Sequence, residues 1–169
     1  MTITPCSRVQ APEILAIFND AIVNTTALYE YEPRTLEFMA TWFDTKERNQ
    51  LPVLGAFTPE GALAGFATYG TFRALPAYHF TVEHSVYVHP NHRGRGIARA
   101  LLSELIATAQ AQNYHVLIGV IDSANTASIA LHKKFGFVPA GTLQQVGFKF
   151  DRWLDVDLYQ LILPTPARP

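Results

Sequence analysis

Residues 86–102 read Val-Tyr-Val-His-Pro-Asn-His-Arg-Gly-Arg-Gly-Ile-Ala-Arg-Ala-Leu-Leu. A β-rich run stops at Pro90, an Arg/Gly loop follows, and an amphipathic helix opens directly out of it. A helix N-terminus behind glycines is an anion site, because its first backbone N–H groups have no partner within the helix and the dipole adds positive charge there. The chemistry predicted at this point is binding of a phosphorylated ligand, helped by Arg93, Arg95 and Arg99. Just upstream, Glu83 sits in a run that alternates Val82, His84, Val86 and Val88 against Glu83, Ser85 and Tyr87. A carboxylate in so apolar a strand has a raised pKa, which suits a general base.

Two familiar phosphate loops do not fit. A Walker A loop needs Lys-Ser or Lys-Thr after its last glycine, and none follows Gly96. A dinucleotide fingerprint needs a small residue three positions after its second glycine. Here that position holds Arg99, and the loop follows two hairpin strands rather than the first β-α turn. Composition narrows the ligand further. The chain has 169 residues, 49% of them hydrophobic, and a formal net charge of −1. There is no global basic field for nucleic acid or a membrane surface, so a local arginine cluster favours a small anionic molecule. One cysteine, Cys6, excludes an internal disulfide and fits a reducing cytoplasm. Neither a signal-peptide pattern nor a membrane-length apolar run is visible in the sequence. His89-x-x-His92 lacks a third ligand, so no metal is expected.

The elements that must position these residues follow from periodicity. Ile14, Leu15, Ile17, Phe18, Ala21 and Ile22 form a helical stripe over 12–23, with Pro12 at its start. Thr35 is the predicted N-cap of a second helix reaching Lys46 and burying Leu36, Met39 and Phe43. Strands are predicted over 51–57 and 62–72, joined by a Thr-Pro-Glu-Gly turn, and over 80–88. A helix over 97–112 aligns Ile97, Leu101, Leu105 and Ala109; the apolar run 116–121 reads as a buried strand. Asn125–Phe135 reads as a helix closed by Gly136. Strands over 137–146 and 153–163 are joined by residues 147–152. The expected fold class is α/β (mixed α+β), a central twisted mixed β-sheet flanked by helices. One domain over 1–164 and a loose tail over 165–169 are expected.

The segment Arg93-Gly94-Arg95-Gly96-Ile97-Ala98 has the form [QR]-x-x-G-x-[GA], and it resembles the pyrophosphate loop of the GNAT acyl-CoA N-acyltransferases. Asn125 with Ala127–Phe137 resembles that superfamily's second signature, about 30 residues on and in the right order. Further segments look like the phosphinothricin and methionine sulfoximine N-acetyltransferases: Asn24-Thr25-Thr26, Glu32-Pro33-x-Thr35, Thr81–Val88, and Val146–Asp155. The resemblance covers almost the whole chain. It implies a GNAT fold, acetyl-CoA as co-substrate, and acetylation of the α-amino group of a small amino acid or glutamate analogue by direct attack on the thioester. It also implies a homodimer, with the apolar final strand Leu158–Leu163 as a second pointer to dimerisation. Resistance to a herbicide-like compound would be one outcome of such an activity.

Carried over residue by residue, the resemblance makes Glu83 the base. His132, where many GNAT enzymes have tyrosine, would be a proton donor to the departing thiolate or a ring packed near the coenzyme. Val86, Tyr87, Val88, Gly94, Arg95, Gly96, Ile97, Ala98, Arg99 and Asn125 would hold the coenzyme; Asn125 is also a natural helix N-cap. Arg73, Ala74, Leu75, Glu83, His84 and Ser85 would meet the substrate, with Arg73 suited to its carboxylate. Arg34 and Lys149 are weaker candidates, each reading more readily as a solvated surface charge. Tyr29, Tyr31 and Phe72 could wall the pocket. Two other readings stay open: acetylation of another amine or a protein N-terminus, and a non-catalytic acyl-CoA sensor, against which the presence of both Glu83 and His132 argues.

Overall fold

A computed structural model describes residues 1–166. Its elements are β1 (Thr2–Pro5), α1 (Ala11–Asn24), α2 (Leu36–Arg48), β2 (Val53–Phe57), β3 (Leu63–Thr71), β4 (Thr81–Val88), α3 (Ile97–Ala111), β5 (Val116–Asp122), α4 (Thr126–Lys134), β6 (Val138–Lys149) and β7 (Arg152–Ile162). The chain divides into two compact units, Met1–Tyr69 with Ser85–Leu105, and Gly70–His84 with the chain from Ile106 onward. β4 and α3 each contribute to both.

In the first unit the strand order is β1-β2-β3-β4, with β1–β2 and β2–β3 antiparallel. α1 buries Ile14, Ile17 and Phe18 into a cluster with Met39 and Phe43 of α2 and Val53, Leu63 and Phe66 of the strands. Phe18 is its centre, meeting Trp42, Phe66 and Tyr87 edge-on with centroids 4.9–5.6 Å apart. Thr35 caps α2 as expected, its hydroxyl accepting from the Phe38 N–H at 3.1 Å. A Cβ on Gly65 of β3 would lie 2.7 Å from the Tyr87 carbonyl oxygen, so glycine lets β3 and β4 run in close contact. In α3, Ile97, Leu101, Leu105 and Ala109, the face the spacing predicted, are all buried, and Leu102 is buried beside them.

The second unit has the order β4-β5-β7-β6. Its β4–β5 pair is parallel and its other pairs are antiparallel, so the mixed character expected of the strands is borne out. Thr81, Val82 and Glu83 pair with Val116, Leu117 and Ile118, and among the described residues β5 follows β4 only as far as Glu83.

Several boundaries differ from expectation for local reasons. β1 was not predicted; its four residues carry little alternation, and the strand exists through its ladder with β2. The run at β5 is not wholly buried, since Val120 is 45% exposed. β6 and β7 extend through residues expected to be loop, because Phe150 and Asp151, both at positive φ (52° and 54°), close a two-residue turn. In β7 Leu154, Val156 and Tyr159 are buried, Leu158 and Leu161 are half-buried, and Ile162 is exposed; near the hairpin Leu143, Val146, Phe148, Phe150 and Trp153 are exposed. Thr165, expected in a loose tail, donates its hydroxyl to the Tyr114 carbonyl at 3.2 Å, and its own carbonyl meets His115 Nδ1 at 3.0 Å. The last part of that tail, 167–169, lies outside the described residues.

Sequence patterning did not single out Lys46 as buried, yet its side chain is enclosed, with Nζ donating to the Tyr69 carbonyl at 2.7 Å and lying 5.2 Å from the Trp42 ring. Burial lowers its pKa to about 8. The folded state therefore releases this proton before the unfolded chain does, and stability rises with pH between about 8 and the ordinary lysine value. Measured against Lys46→Met by denaturant unfolding, the wild type should gain on the order of 3 kcal/mol across that window. An unchanged difference between the two proteins from neutral pH to pH ~10.5 would contradict the assignment.

Candidate active site

The first unit carries the anion-binding candidates. After β4, Pro90–His92 makes one 3-10 turn, pinned by the Asn91 N–H donating to His89 Nδ1 at 3.2 Å. This bond uses one ring nitrogen of His89 for the turn itself. Gly94 and Gly96 follow at φ 76° and 77°, a conformation that strains any residue with a Cβ. A Cβ at either glycine would meet no atom within 4 Å, so the loop needs glycine for its backbone angle and leaves open space above it. The Gly96 carbonyl accepts from the Ala100 N–H at 3.1 Å, which makes it the first acceptor of α3. The N–H groups of Ile97, Ala98 and Arg99 precede that bond and have no acceptor within the helix. Arg95 and Arg99 are exposed, whereas Arg93 is tied to Asp20 at 2.9 Å. Val86, Tyr87 and Val88 lead into the loop half-buried. These features suit a pyrophosphate: outward N–H groups, a helix dipole and two uncommitted guanidinium groups.

The second unit carries the acid–base candidates. Val82 and His84 point into buried surroundings, so the pleat turns Glu83 to the opposite face of β4. Glu83 is half-buried, and burial raises its carboxyl above the ordinary glutamate range. Arg73, Ala74 and Leu75 occupy the exposed segment before β4; Arg73 lies 5.7 Å from the Phe72 ring, which packs on Tyr78. Ser85, in the first unit's part of β4, follows on Glu83's face. Asn125 caps α4, its Oδ1 accepting from the Ser128 N–H at 3.0 Å, so the N-cap role anticipated for it is filled.

His132 and His84 are brought together. Their Nε2 atoms are 2.8 Å apart, and both rings pack on Phe137. His84 is thus buried and directed at a neighbouring ring, away from the face that Glu83 and Ser85 share. Burial lowers the pKa of both histidines; for His84 the neighbouring His132 adds to the effect, and the Ile118 backbone opposes it. For His132 the Ser128 carbonyl acts in the opposing sense. Sequence reasoning missed this pair, although the alternation had already put His84 on the apolar face.

Two weaker candidates have structural partners instead. The Arg34 guanidinium stacks 4.0 Å from the Phe18 centroid and pairs with Glu30. Lys149 is buried, with Nζ 5.1 Å from the Phe150 ring. Neither is the solvated charge its sequence context implied. Burial, with Glu13 nearby, pushes the Cys6 thiol up to about 12, which disfavours the reactive thiolate form.

Known proteins match both the sequence and the fold. The model of the Acetyltransferase (GNAT) family matches residues 16–137. An L-methionine sulfoximine/L-methionine sulfone acetyltransferase of Pseudomonas aeruginosa is 46% identical over 94% of this chain and 92% of its own length. The crystal structure of a phosphinothricin acetyltransferase from Sinorhizobium meliloti in complex with acetyl-CoA superposes with a TM-score of 0.95 at 37% identity, covering 99% of this chain and 91% of that one. A structure described as ribosomal-protein-alanine N-acetyltransferase from Brucella melitensis gives 0.94 at 45% identity, covering 96% and 100%. With its fold shared at this level and the family model spanning the Arg/Gly loop through Phe137, the chain belongs to the GNAT family of acetyltransferases.

Proposed function

We propose that this enzyme acetylates the α-amino group of a small amino acid or analogue, of the methionine sulfoximine, methionine sulfone or phosphinothricin type, using acetyl-CoA. The observation that carries the reading is the half-buried carboxylate of Glu83 in β4, the strand whose sequence leads into the Arg/Gly loop ten residues on. The N–H groups from Gly94 to Arg99 would take the coenzyme's pyrophosphate, the backbone of Val86–Val88 its pantetheine arm, and Asn125 a further contact beyond its capping role. Arg73, with the backbone of Ala74 and Leu75, would meet the substrate carboxylate, and Glu83 and Ser85 its amine. His84, buried against His132, is left out of the substrate contacts.

The chemistry follows from protonation. A free amino acid enters as an ammonium ion, which has no lone pair to attack with. Glu83, ionised, accepts one proton directly or through a water. The neutral nitrogen attacks the thioester carbonyl carbon, the C–N bond forms, the C–S bond breaks, and coenzyme A departs with the electron pair as a thiolate; the acylated nitrogen then sheds its second proton to solvent, giving the neutral amide, and the thiolate takes a proton from solvent to leave as free thiol. The partial burial that raises the pKa of Glu83 makes its carboxylate a better proton acceptor than a solvated one. The lone, half-buried Cys6 fits the reducing cytoplasm proposed as its compartment.

A second reading, acetylation of a protein N-terminus, is favoured only by the Brucella relative's description. Release of free thiol from acetyl-CoA should separate the two on a panel of methionine sulfoximine, methionine sulfone, phosphinothricin, ordinary amino acids and an alanine-starting peptide. The expected order puts the sulfoximine, sulfone or phosphinothricin first; turnover of the peptide alone, or of nothing, would overturn the proposal. We also propose a homodimer that covers the apolar residues exposed around the β6–β7 turn, among them Phe148, Phe150 and Trp153. Solution scattering should return about twice the 18.8 kDa chain mass, and Trp153→Glu should shift the particle toward the single-chain mass. A monomer at all concentrations would contradict it.

A further inference from the structure

The His84–His132 contact constrains where protons sit. His132 Nδ1 lies 2.7 Å from the Ser128 carbonyl oxygen, which can only accept, so this nitrogen carries a hydrogen and donates it. The Ser128 hydroxyl, 3.4 Å from the same nitrogen, is a secondary neighbour. At 2.8 Å, the two Nε2 atoms share one hydrogen between them. If His132 is neutral, that hydrogen belongs to His84, and His132 Nε2 is the acceptor. The Ile118 backbone favours a hydrogen on His84, but no acceptor stands within hydrogen-bond distance of His84 Nδ1 among the described residues, so the geometry leaves this nitrogen a bare lone pair. A cationic His132 would instead put a charge among Phe137, His84 and the Gly119 backbone, rings and backbone that supply no anion.

Gly119 of β5 makes this arrangement possible. A Cβ there would stand 3.1 Å from His84 Cε1 and 3.4 Å from both Cδ2 and Nε2 of His132. The glycine is not at a turn, and its φ is ordinary for a strand. It is the bare spot on β5 against which the two rings close.

We propose that His84 is a positioning residue for His132: its Nε2–H, working against the Ser128 carbonyl on the other side, locks His132 as the neutral Nδ1–H tautomer with an accepting Nε2, in a space kept open by Gly119. The proposal rests on the reading that His132 stands close to the acetyl-transfer chemistry. In this state His132 has no proton on Nε2, and its Nδ1 proton is committed to Ser128. It takes part in the reaction as a neutral, oriented ring and not as an imidazolium that hands a proton to the departing thiolate.

Long-range 1H–15N correlation spectra of the ligand-free protein at neutral pH test the tautomer without any substrate, so the result stands whatever amine the enzyme prefers. His132 should show a protonated Nδ1 and an unprotonated Nε2; two protonated nitrogens, or the reverse tautomer, would overturn the proposal. His84→Gln, which keeps a donor at similar reach, should preserve the tautomer and most of the turnover. His84→Leu and Gly119→Ala should each mix the His132 tautomers and lower kcat about tenfold, with the KM for acetyl-CoA little changed. Circular dichroism confirms that each variant is folded before it is compared. An unaltered His132 tautomer in folded His84→Leu, or equal kcat in the Gln and Leu variants, would refute a positioning role.

Discussion

In β4 the pleat sends Val82 and His84 into buried surroundings, and by doing so it turns Glu83 and Ser85 the other way. The rest of the site depends on this alternation. A one-residue slip would bury the carboxylate and expose the histidine, breaking the proposed base and the ring pair together. The register is held by the parallel pairs Thr81–Val116, Val82–Leu117 and Glu83–Ile118.

The two functional ingredients owe their character to different physics. The Arg/Gly loop works through backbone: left-handed glycines shape it, and the start of α3 supplies N–H groups. Glu83 and the histidine pair work through desolvation, which raises the carboxyl of the first and keeps the second neutral. Arginine charge near the loop is partly spoken for, since Arg93 is bound to Asp20 and braces the loop against α1. In the proposed reading, the coenzyme's phosphates would therefore lean on Arg95, Arg99 and the main chain.

Much of this was legible in the sequence because it is written in local rules. The stripe of α1, the Thr35 cap, the Asn125 cap and the apolar face of α3 need only helical periodicity and the chemistry of one side chain. The alternation of β4 likewise placed Glu83 and His84 on opposite faces before any coordinate was known. What stayed hidden depends on residues far apart in the chain. β1 exists only through β2, and the partner of His84 lies 48 residues away. The burial of Lys46 depends on the Tyr69 carbonyl, 23 residues on. Gly119 was a clue of sorts: a lone glycine in an apolar strand marks a place where something comes close. Lys149 and Arg34 misled because charge alone does not say whether a long side chain is stacked on a ring.

The central claim, that Glu83 is the base of an acetyl transfer, is tested most directly by the pH dependence of kcat/KM in the wild type and in Glu83→Gln. A base must be ionised to act, so wild-type activity should fall as pH drops through the raised pKa of Glu83, above the ordinary glutamate range. The Gln variant should lose this acid limb and about 10²–10⁴ in rate, keeping only the limb that belongs to the substrate amine. Wild-type turnover at neutral pH in Glu83→Gln, with the acid limb intact, would contradict the account.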